Sequence, residues 1–537
     1  MWTLRFSFYF SCKKIFHFRL NIYFAKTNPH QLYYLSPIVT WFIRQRFDSV
    51  HHFMEHPFEA QELVFQNLIQ SSSLTEWGKK YEYDSISDFK KFSERIPVQD
   101  YDTLKPWISR MMNGEQNILW HSEIRWFAKS SGTTSDKSKF IPVSMEAMEE
   151  CHFKGALDLL GAYCFLNEDT KIFNGKGLII GGSHQINNLN AQSSYGDLSA
   201  VLLQNMSFIG QLWRTPQLSI ALMDEWEQKI EKLAHSTLKE DVTNISGVPT
   251  WTMILIKRLF DLTGKNNLRE IWPNLELYIH GGVSFTPYRE QFKSLMKGEG
   301  MNFYESYNAS EGFFAFQFGK RDEDLLLHLN NGIFYEFIPM NELGKDFPKT
   351  VLIDEVKVNE NYALVISTNS GLWRYMVGDT IQFTSIKPFR IKVTGRVKQF
   401  INAFGEEVIA DNTDNAIAKT CKETSSVVSD YTVAPVYLTC DDRGCHEWLI
   451  EFDREPEDLI HFTELLDKNL RALNSDYDAK RYKDIALKEP TVRVLPKNSF
   501  YNWLKKKGKL GGQHKVPRLS NDRIYVDDIL GMIHSEV

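Results

Sequence analysis

The chain has few cysteines, no excess of one charge, and no apolar run that could cross a membrane. Its six cysteines show no paired CxxC spacing, which argues against a disulfide framework or a zinc knuckle. The 62 Lys and Arg against 68 Asp and Glu give a net charge of −6, so no global basic surface for nucleic acid is expected. No apolar run approaches the roughly 20 residues of a membrane span. We therefore expect a cytoplasmic protein without a transmembrane segment or a nucleic acid partner.

The chain does have length and apolar content. Its 537 residues are 43% hydrophobic and 13% aromatic, enough for several buried cores and for roughly three or four units of about 150 residues each. Residues 1–36 stand apart, because the apolar run Trp2–Phe10 comes before Lys13 and Lys14, whereas a secretory signal has the opposite order. We interpret this segment as an N-terminal extension, and a weak membrane-surface anchor is the alternative.

Strand-like and helix-like patterns alternate through the middle of the chain. Apolar runs at 275–279 and 333–338 are typical of strands, whereas 216–238 and 249–262 are helical patterns that open with proline. This alternation predicts an α/β fold. The pattern changes near 387–396, and we place a domain boundary there, which gives a large domain at 37–390 and a small α+β domain at 391–537.

A loop rich in hydroxyl groups follows the apolar stretch that ends at Ala128. It reads Ser130-Ser131-Gly132-Thr133-Thr134-Ser135-Asp136-Lys137-Ser138-Lys139. Hydroxyl and backbone N–H donors can surround phosphate oxygens while an ammonium group neutralises their charge. The pattern GxxxxGK[ST] of a Walker A loop does not fit it. The composition indicates a phosphate site at Ser130, Ser131, Gly132, Thr133, Thr134 and Lys139, and an ordinary Ser/Thr-rich turn is the alternative.

This loop, with Ile96-Pro97-Val98 before it and Phe140-Ile141-Pro142 after it, resembles the phosphate-binding loop of the adenylate-forming superfamily of firefly luciferase and acyl-CoA synthetases. It is more similar to the auxin-responsive acyl acid amido synthetase family, in a bacterial-type branch. The resemblance extends from about Pro37 to the C-terminus. It implies a large N-terminal domain of mixed β-sheets and helices with a smaller, mobile α+β C-terminal domain.

The resemblance continues at Tyr307-Asn308-Ala309-Ser310-Glu311, which is similar to the family's Tyr-x-Ser-Ser-Glu element. It implies that Tyr307 and Asn308 contact the nucleotide and that Glu311 is catalytic and holds Mg²⁺. A carboxylate is a suitable ligand for this hard cation. Upstream, Gly281 and Gly282 follow a strand pattern, and glycines there permit close approach of the backbone to a base. A turn that requires positive φ is the alternative.

Two further motifs lie downstream. Trp373-Arg374-Tyr375-Met376-Val377-Gly378-Asp379 resembles the family's Tyr-Arg-x-Gly-Asp element, which implies that Asp379 binds the ribose hydroxyls. Gly395-Arg396 resembles the family's hinge, and Arg396 is a further expected nucleotide-binding residue. The C-terminal Gln513-His514-Lys515-Val516-Pro517-Arg518 resembles Gln-x-Lys-x-Pro-Arg, so Lys515 is the expected catalytic lysine. Met376 and the pair Glu406-Glu407 depart from the plant pattern.

The reaction that the resemblance implies has two steps. A carboxylic acid and Mg·ATP give an acyl-adenylate and pyrophosphate, and an amine, expected to be an amino acid, then displaces AMP. The family's acyl-site helix falls on the helix from Pro249, so Trp251, Ile254 and Leu255 are the candidate substrate contacts, with an apolar core stripe as the alternative. The other functions considered are an acyl-CoA ligase and a nucleotide-binding protein without turnover. The sequence leaves open which acid, which amine and what oligomeric state apply.

Overall fold

We describe a computed structural model of the full chain. The described residues are 35–130, 139–181, 186–223, 225–282, 285–319, 324–397, 400–401, 403, 406, 408–436, 444–481, 487–510 and 515–535. The extension at 1–36 therefore lies almost wholly outside them. Among these residues, no helix is both long and apolar enough to cross a membrane.

Six helices form the entry to the large domain. They are α1 (Ser36–Arg44), α2 (Phe47–Glu55), α3 (Pro57–Ser72), α4 (Glu76–Lys80), α5 (Phe89–Arg95) and α6 (Tyr101–Met112). Side chains cap the N-termini of α4, α5 and α6: in α6, Asp100 accepts a hydrogen bond from the backbone N–H of Thr103 at 2.9 Å. The apolar faces of α2 and α3 pack on the β-sheet core of the large domain.

Helices and strands alternate beyond this entry region. The helices of the large domain are α7 (Lys154–Leu166), which follows a π-helical turn at Ala147–Phe153, α8 (Leu198–Asn205), α9 (Phe208–Leu212), α10 (Leu218–Ala221), α11 (Trp226–Thr237), α12 (Pro249–Thr263) and α13 (Arg289–Leu295). The strands are β1 (Trp126–Ser130), β2 (Lys139–Val143), β3 (Lys176–Ile179), β4 (Asn187–Asn188), β5 (Ser194–Gly196), β6 (Arg214–Thr215), β7 (Val242–Ser246), β8 (Leu277–Gly281), β9 (Asn302–Ala309), β10 (Gly312–Gln317), β11 (Leu325–Leu327), β12 (Ile333–Pro339), β13 (Asn361–Thr368), β14 (Tyr375–Ile386) and β15 (Phe389–Arg396).

Within the described residues the largest sheet has eleven strands in the order β12-β13-β14-β15-β11-β10-β9-β8-β7-β3-β6. Its pairs from β6 to β9 are parallel, and those from β9 to β12 are antiparallel. A second sheet has the order β2-β1-β5-β4. The sheets and their helices confirm the predicted mixed α/β fold. Because parallel strands place their carboxyl ends at one edge, the ends of β3, β7 and β8 lie together.

A smaller α+β unit follows β15. Its elements are β16 (Phe400–Ile401), β17 (Val408–Ile409), α14 (Ala410–Thr424), β18 (Val427–Val436), β19 (Cys445–Arg454), α15 (Leu459–Leu473), α16 (Ser475–Arg481), β20 (Thr491–Leu495), α17 (Ser499–Lys506) and α18 (Ile524–Ser535). Strands β18, β19 and β20 form one sheet, and β16 and β17 form another. These helices and strands confirm the predicted α+β character. The unit also has its own hydrophobic cores.

Two sequence expectations differ from the structure in detail. The helix expected over 216–238 is wrong as one element, because α10 ends at Ala221 and α11 begins at Trp226. The Glu225 carboxylate caps α11 by accepting the backbone N–H of Gln228 at 2.6 Å, and this starts a new helix. Strand β15 belongs to the large sheet and continues to Arg396, past the boundary at 390, which itself stays a prediction.

Candidate active site

A cavity of about 1310 Å³ opens at the carboxyl ends of the parallel strands, between the large and small domains. Its walls include Gly181 after β3, Gly247 after β7 and Gly282 after β8. This edge of a parallel sheet is where α/β folds bind ligands. The cavity collects predicted site residues from distant parts of the chain: Ser130, Lys139, Trp251, Ile254, Gly281, Gly282, Tyr307, Asn308, Glu311, Asp379, Arg396 and Lys515.

The phosphate loop is the connection of a β-hairpin. Strands β1 and β2 are antiparallel, and Ser130 pairs directly with Lys139 at the open end of the ladder. Both residues line the cavity. The Lys139 ammonium is 3.4 Å from the Tyr375 hydroxyl and lies 5.7 Å from the centre of the Tyr101 ring. The predicted donors Ser131, Gly132, Thr133 and Thr134 lie outside the described residues.

Asp379 is the centre of a hydrogen-bonded group on the cavity wall. Its side chain is almost fully buried, and its two oxygens have different partners. The Tyr307 hydroxyl donates to Oδ2 at 2.7 Å, and Arg396 Nε is 3.0 Å from Oδ1. The opposite charge of Asp379 raises the pKa of Arg396. A carboxylate oxygen can accept a second hydrogen bond, so these contacts fix Asp379 in place and leave it able to bind hydroxyl groups.

Glu311 lies immediately before β10, near Asp379 and Arg396. It is half-buried, and burial raises the pKa of its carboxyl, while the positive charge of Lys139 acts in the opposite direction. Asp379 adds to the increase, because two nearby carboxylates disfavour each other's charged form. Glu311 is therefore a carboxylate that a cation would stabilise in its charged form.

Lys515 reaches the cavity from the small domain. Its ammonium donates a hydrogen bond to the carbonyl oxygen of Gly282, at the end of β8. Burial and the positive charge of Arg396, partly opposed by Asp379, lower the pKa of Lys515 to about 8. The side chain is half-buried rather than exposed, which the position of its segment in the sequence alone did not suggest. Predicted site residues of the large and the small domain, Gly282 and Lys515, are thus in direct contact.

The glycine pair after β8 has a different local role at each position. A Cβ atom at Gly281 would lie 2.3 Å from the carbonyl oxygen of Ser306, so only glycine permits this packing of β8 on β9. Gly282 has φ of +82°, and a Cβ there would lie 3.4 Å from Lys515 Nζ. The positive φ that was the alternative from the sequence is found at Gly282, and close approach of the backbone to a base stays a prediction. Asn308 is exposed to the cavity on β9.

One end of the cavity is apolar and lies between α11 and α12. Trp251 and Ile254 line it, as the resemblance implied for a substrate site. Leu255 is 1% exposed in the core and is not among the cavity-lining residues. Sequence reasoning missed Trp226 and Ile230 on the facing helix, although their spacing of four residues is the signal of one helical face. The Trp226 and Trp251 rings meet edge to face, with 4.5 Å between centroids.

Polar contacts join the two domains around the cavity. Arg518, three residues after Lys515, donates to the Tyr288 hydroxyl of the large domain at 3.0 Å and also pairs with Asp430. Elsewhere Lys257 lies 3.1 Å from Asp453, which also accepts from Gln291, and Lys505 lies 2.6 Å from Glu227. The segment 515–518 is therefore held against the large domain by hydrogen bonds, and ion pairs join other parts of the two domains.

The departures from the plant motifs have different places in the fold. Met376 lines the cavity, and its backbone N–H donates to the carbonyl oxygen of Gln99 at 2.8 Å. Glu406 is fully buried in the small domain, 2.9 Å from His446, and so has a structural partner there. Glu407 lies outside the described residues.

Family models match three consecutive parts of the chain: the GH3 family N-terminal domain at residues 46–301, the central domain at 326–396 and the C-terminal domain at 411–524. The chain belongs to the GH3 family. This membership confirms the resemblance drawn from the motifs.

Characterised GH3 proteins match nearly the whole chain. It is 23% identical to indole-3-acetic acid-amido synthetase GH3.3 of Arabidopsis thaliana, over 86% of this chain and 89% of that protein. It is 25% identical to jasmonoyl–L-amino acid synthetase JAR4 of Nicotiana attenuata, over 86% and 90%.

The fold of this GH3 chain is also that of solved structures. GH3.15 acyl acid amido synthetase with 2,4-DB matches with a TM-score of 0.73 and 16% identity, over 88% of this chain and 93% of that chain. 2-Hydroxyisobutyryl-CoA ligase with 2-HIB-AMP matches with a TM-score of 0.56 and 11% identity, over 88% and 92%. The adenylate-forming fold expected from the phosphate loop is thereby confirmed.

Proposed function

We propose that the protein uses ATP to convert a carboxylic acid to an acyl-adenylate and then transfers the acyl group to an amine. The expected amine is an amino acid. The observation that carries this proposal is the convergence of Lys139, Glu311, Asp379 and Lys515 on one cavity with an apolar end. Residues that come from four motifs surround it. The functions of the GH3 relatives point to the same two-step reaction.

Each group has a task in the first step. Ser130 and Lys139, with Ser131, Gly132, Thr133 and Thr134 between them, bind the phosphates, and Asp379, held by Tyr307 and Arg396, binds the ribose. Gly281, Gly282 and Asn308 line the nucleotide site. The acid lies with its apolar part between Trp251 and Ile254 and its carboxylate toward Lys515. The lysine stabilises negative charge on the α-phosphate while the acid oxygen attacks. Enclosure by both domains keeps water from the adenylate.

The residues present fit a magnesium ion bound with the nucleotide. Mg²⁺ is usually held by one or two carboxylates together with substrate phosphates, and Glu311 supplies a half-buried carboxylate near Lys139. When bound, the ion would neutralise charge on the phosphates. Glu311 thus combines the catalytic and metal-binding roles that the motif implied.

We expect Glu311→Gln to weaken the response to Mg²⁺ and to leave binding of the acid unchanged. The amide keeps the shape of the carboxylate and loses the charge that a hard cation prefers. Titration of magnesium against the rate of adenylation, for both proteins, measures this. Glu299→Gln on an exposed loop is the matched control. Superimposable titration curves for wild type and Glu311→Gln would place the metal ligand elsewhere.

The proposed function is tested by exchange of labelled pyrophosphate into ATP. We expect exchange that depends on a carboxylic acid, with indole-3-acetate, a benzoate and jasmonate as first acids and a wider panel after them. When amino acids are added, we expect one molecule of amide to form for each AMP released, which would demonstrate the second step. Absence of exchange with every acid, in a protein that still binds ATP, would instead identify a nucleotide-binding protein without turnover.

The acyl-CoA ligase alternative is separated by the second substrate. Both reactions share the acyl-adenylate, so pyrophosphate exchange alone does not distinguish them. Incubation of the same acid and ATP with either amino acids or coenzyme A gives an amide or a thioester, which mass spectrometry resolves. We expect the amide. Mobility of the small domain and its boundary near residue 390 belong to this proposal as well, since the second step requires access to the adenylate.

A further inference from the structure

The cavity wall also carries charged side chains away from α11 and α12. The cavity continues into a cleft of about 1720 Å³ between the domains. Both spaces are lined by Arg289 of α13, by Lys392 and Arg396 of β15, and by Asp411 of α14. Two of these side chains form an ion pair, in which Lys392 Nζ lies 3.2 Å from Asp411 Oδ2. Charged side chains of both domains therefore line the region that the two spaces share.

Glu305 lies on the wall of the cavity. It pairs in parallel register with His280 of β8, so the two side chains project from the same face of the sheet. Phe303, two residues earlier on β9, shares that face, and its ring lies 5.8 Å from that of Phe285. The Phe285 ring also stacks on His280 at 3.8 Å and has the Arg289 guanidinium 5.6 Å from its centre. The Phe285 ring is thus the common neighbour of His280 and Arg289, and Glu305 is near Arg289, whose charge acts on its carboxyl.

His280 is close to the proposed reaction centre. His280 lies two residues before Gly282, which corresponds to about 7 Å along the strand. The Gly282 carbonyl oxygen accepts the hydrogen bond of Lys515, and Val248 at the start of the acyl-site helix is next to both. Lys515 and Glu305 therefore line the same cavity, and Glu305 lies one strand away from the segment that ends at Gly282.

The carboxylate of Glu305 has no hydrogen-bond partner among the described residues, although it is half-buried and lines the cavity. His280 is 2% exposed, and its Nδ1 atom also has no partner there. Burial raises the pKa of Glu305 to about 7, which Arg289 opposes, and burial lowers the pKa of His280 to about 3. Unpaired buried polar groups are costly, and a polar ligand between them would satisfy both.

We propose that Glu305 is the base for the second step and accepts a proton from the ammonium group of the acceptor amino acid, whose carboxylate Arg289 binds. The neutral nitrogen then uses its lone pair to form the C–N bond with the acyl carbon. The bond from that carbon to the phosphate oxygen breaks, and its electron pair leaves with AMP. The second ammonium proton leaves nitrogen for the AMP phosphate or water, which gives the neutral amide.

This role rests on the proposed function and applies to its second step only. A base whose pKa lies near the working pH is effective, and general base catalysis contributes about 10²–10⁴-fold. The charged and titratable groups that face Glu305 are His280 on β8 and Arg289 on α13, and Gln317 of β10 is a neutral neighbour that accepts the Glu305 backbone N–H at 3.0 Å. Arg289 keeps part of the carboxyl charged at neutral pH.

The test compares two acceptors in the same variant. Glu305→Gln should reduce amide formation with glutamate, or with the best amino acid of the wild type, by about 10²-fold and leave pyrophosphate exchange unchanged. Hydroxylamine is largely unprotonated at neutral pH and needs no base. Hydroxamate formation with hydroxylamine should therefore stay at the wild-type rate in Glu305→Gln. Arg289→Met should raise the KM for the amino acid and not that for hydroxylamine, which has no carboxylate.

Each other outcome overturns the proposal. An equal loss with both acceptors, or a loss of pyrophosphate exchange, would show that Glu305 supports the site structurally. Unchanged amide formation would exclude it as the base. Thermal melting of Glu305→Gln checks the fold, and Glu299→Gln, an exposed carboxylate, is the control. A wild-type protein that shows no exchange with any acid contradicts the proposed function instead, so the two failures are distinguishable.

Discussion

Lys515→Ala is expected to slow formation of the acyl-adenylate by about 10²-fold or more. Removal of one electrostatic group aimed at developing charge typically has an effect of this size. In this structure the ammonium is half-buried beside Asp379 and Arg396, so water would replace it poorly. Pyrophosphate exchange at saturating ATP measures the effect. Lys506→Ala, an exposed lysine of α17, is the matched control and should exchange as the wild type does.

The same lysine predicts the pH dependence of the first step. Its pKa is lowered to about 8, so the fraction of charged Lys515 decreases as the pH rises through that value. Adenylation should therefore fall above about pH 8 in the wild type. Lys515→Arg stays charged throughout this range, and its residual activity should not fall there. Identical pH profiles for the two proteins, or full activity in Lys515→Ala, would remove Lys515 from the mechanism.

Arg374→Met is expected to lower the free energy of unfolding by about 3–5 kcal/mol, because it leaves a buried carboxylate without its counter-charge. Arg374 is 4% exposed and donates to both oxygens of the fully buried Glu336, with Nε at 3.0 Å and 3.1 Å. It also donates to the carbonyl oxygen of Ser93 at 2.9 Å, which joins α5 to the sheet. Urea unfolding followed by tryptophan fluorescence measures the change.

A second substitution distinguishes an unpaired charge from a loss of packing. If the buried charge dominates, Glu336→Gln added to Arg374→Met should recover part of the lost stability, because the neutral amide costs less to bury. Arg110→Met, which removes an exposed pair with Glu76, is the control and should unfold as the wild type does. A small loss in Arg374→Met would mean that water reaches Glu336.

The motifs made much of the site predictable. Glu311, Asp379 and Lys515 are far apart in the chain, and their chemistry was readable because each lies in a short pattern with a family counterpart. The fold class followed from the alternation of strands and helices. Glu305 had no such signal: its importance depends on which face of β9 it occupies, and the pairing register with His280 decides this.

The contacts between the domains could not be predicted from the sequence either. The hydrogen bond from Arg518 to Tyr288 joins residues 230 positions apart, and neither position carries a pattern that names its partner. Leu255 illustrates the opposite difficulty. It shares an apolar helix with Trp251 and Ile254, yet a helix that is apolar on several faces does not reveal which of them meets a ligand.

The polar character of the domain contacts has a consequence for the movement of the small domain. The pairs Lys257–Asp453 and Lys505–Glu227 lie near the surface, where added salt weakens the attraction between exposed charges. Each such pair contributes little free energy, and each unit keeps hydrophobic cores of its own. The proposed rotation of the small domain would break these two pairs together with the hydrogen bonds from Arg518 to Tyr288 and from Lys515 to Gly282. Added salt should weaken the ion-pair part of this contact without unfolding either domain.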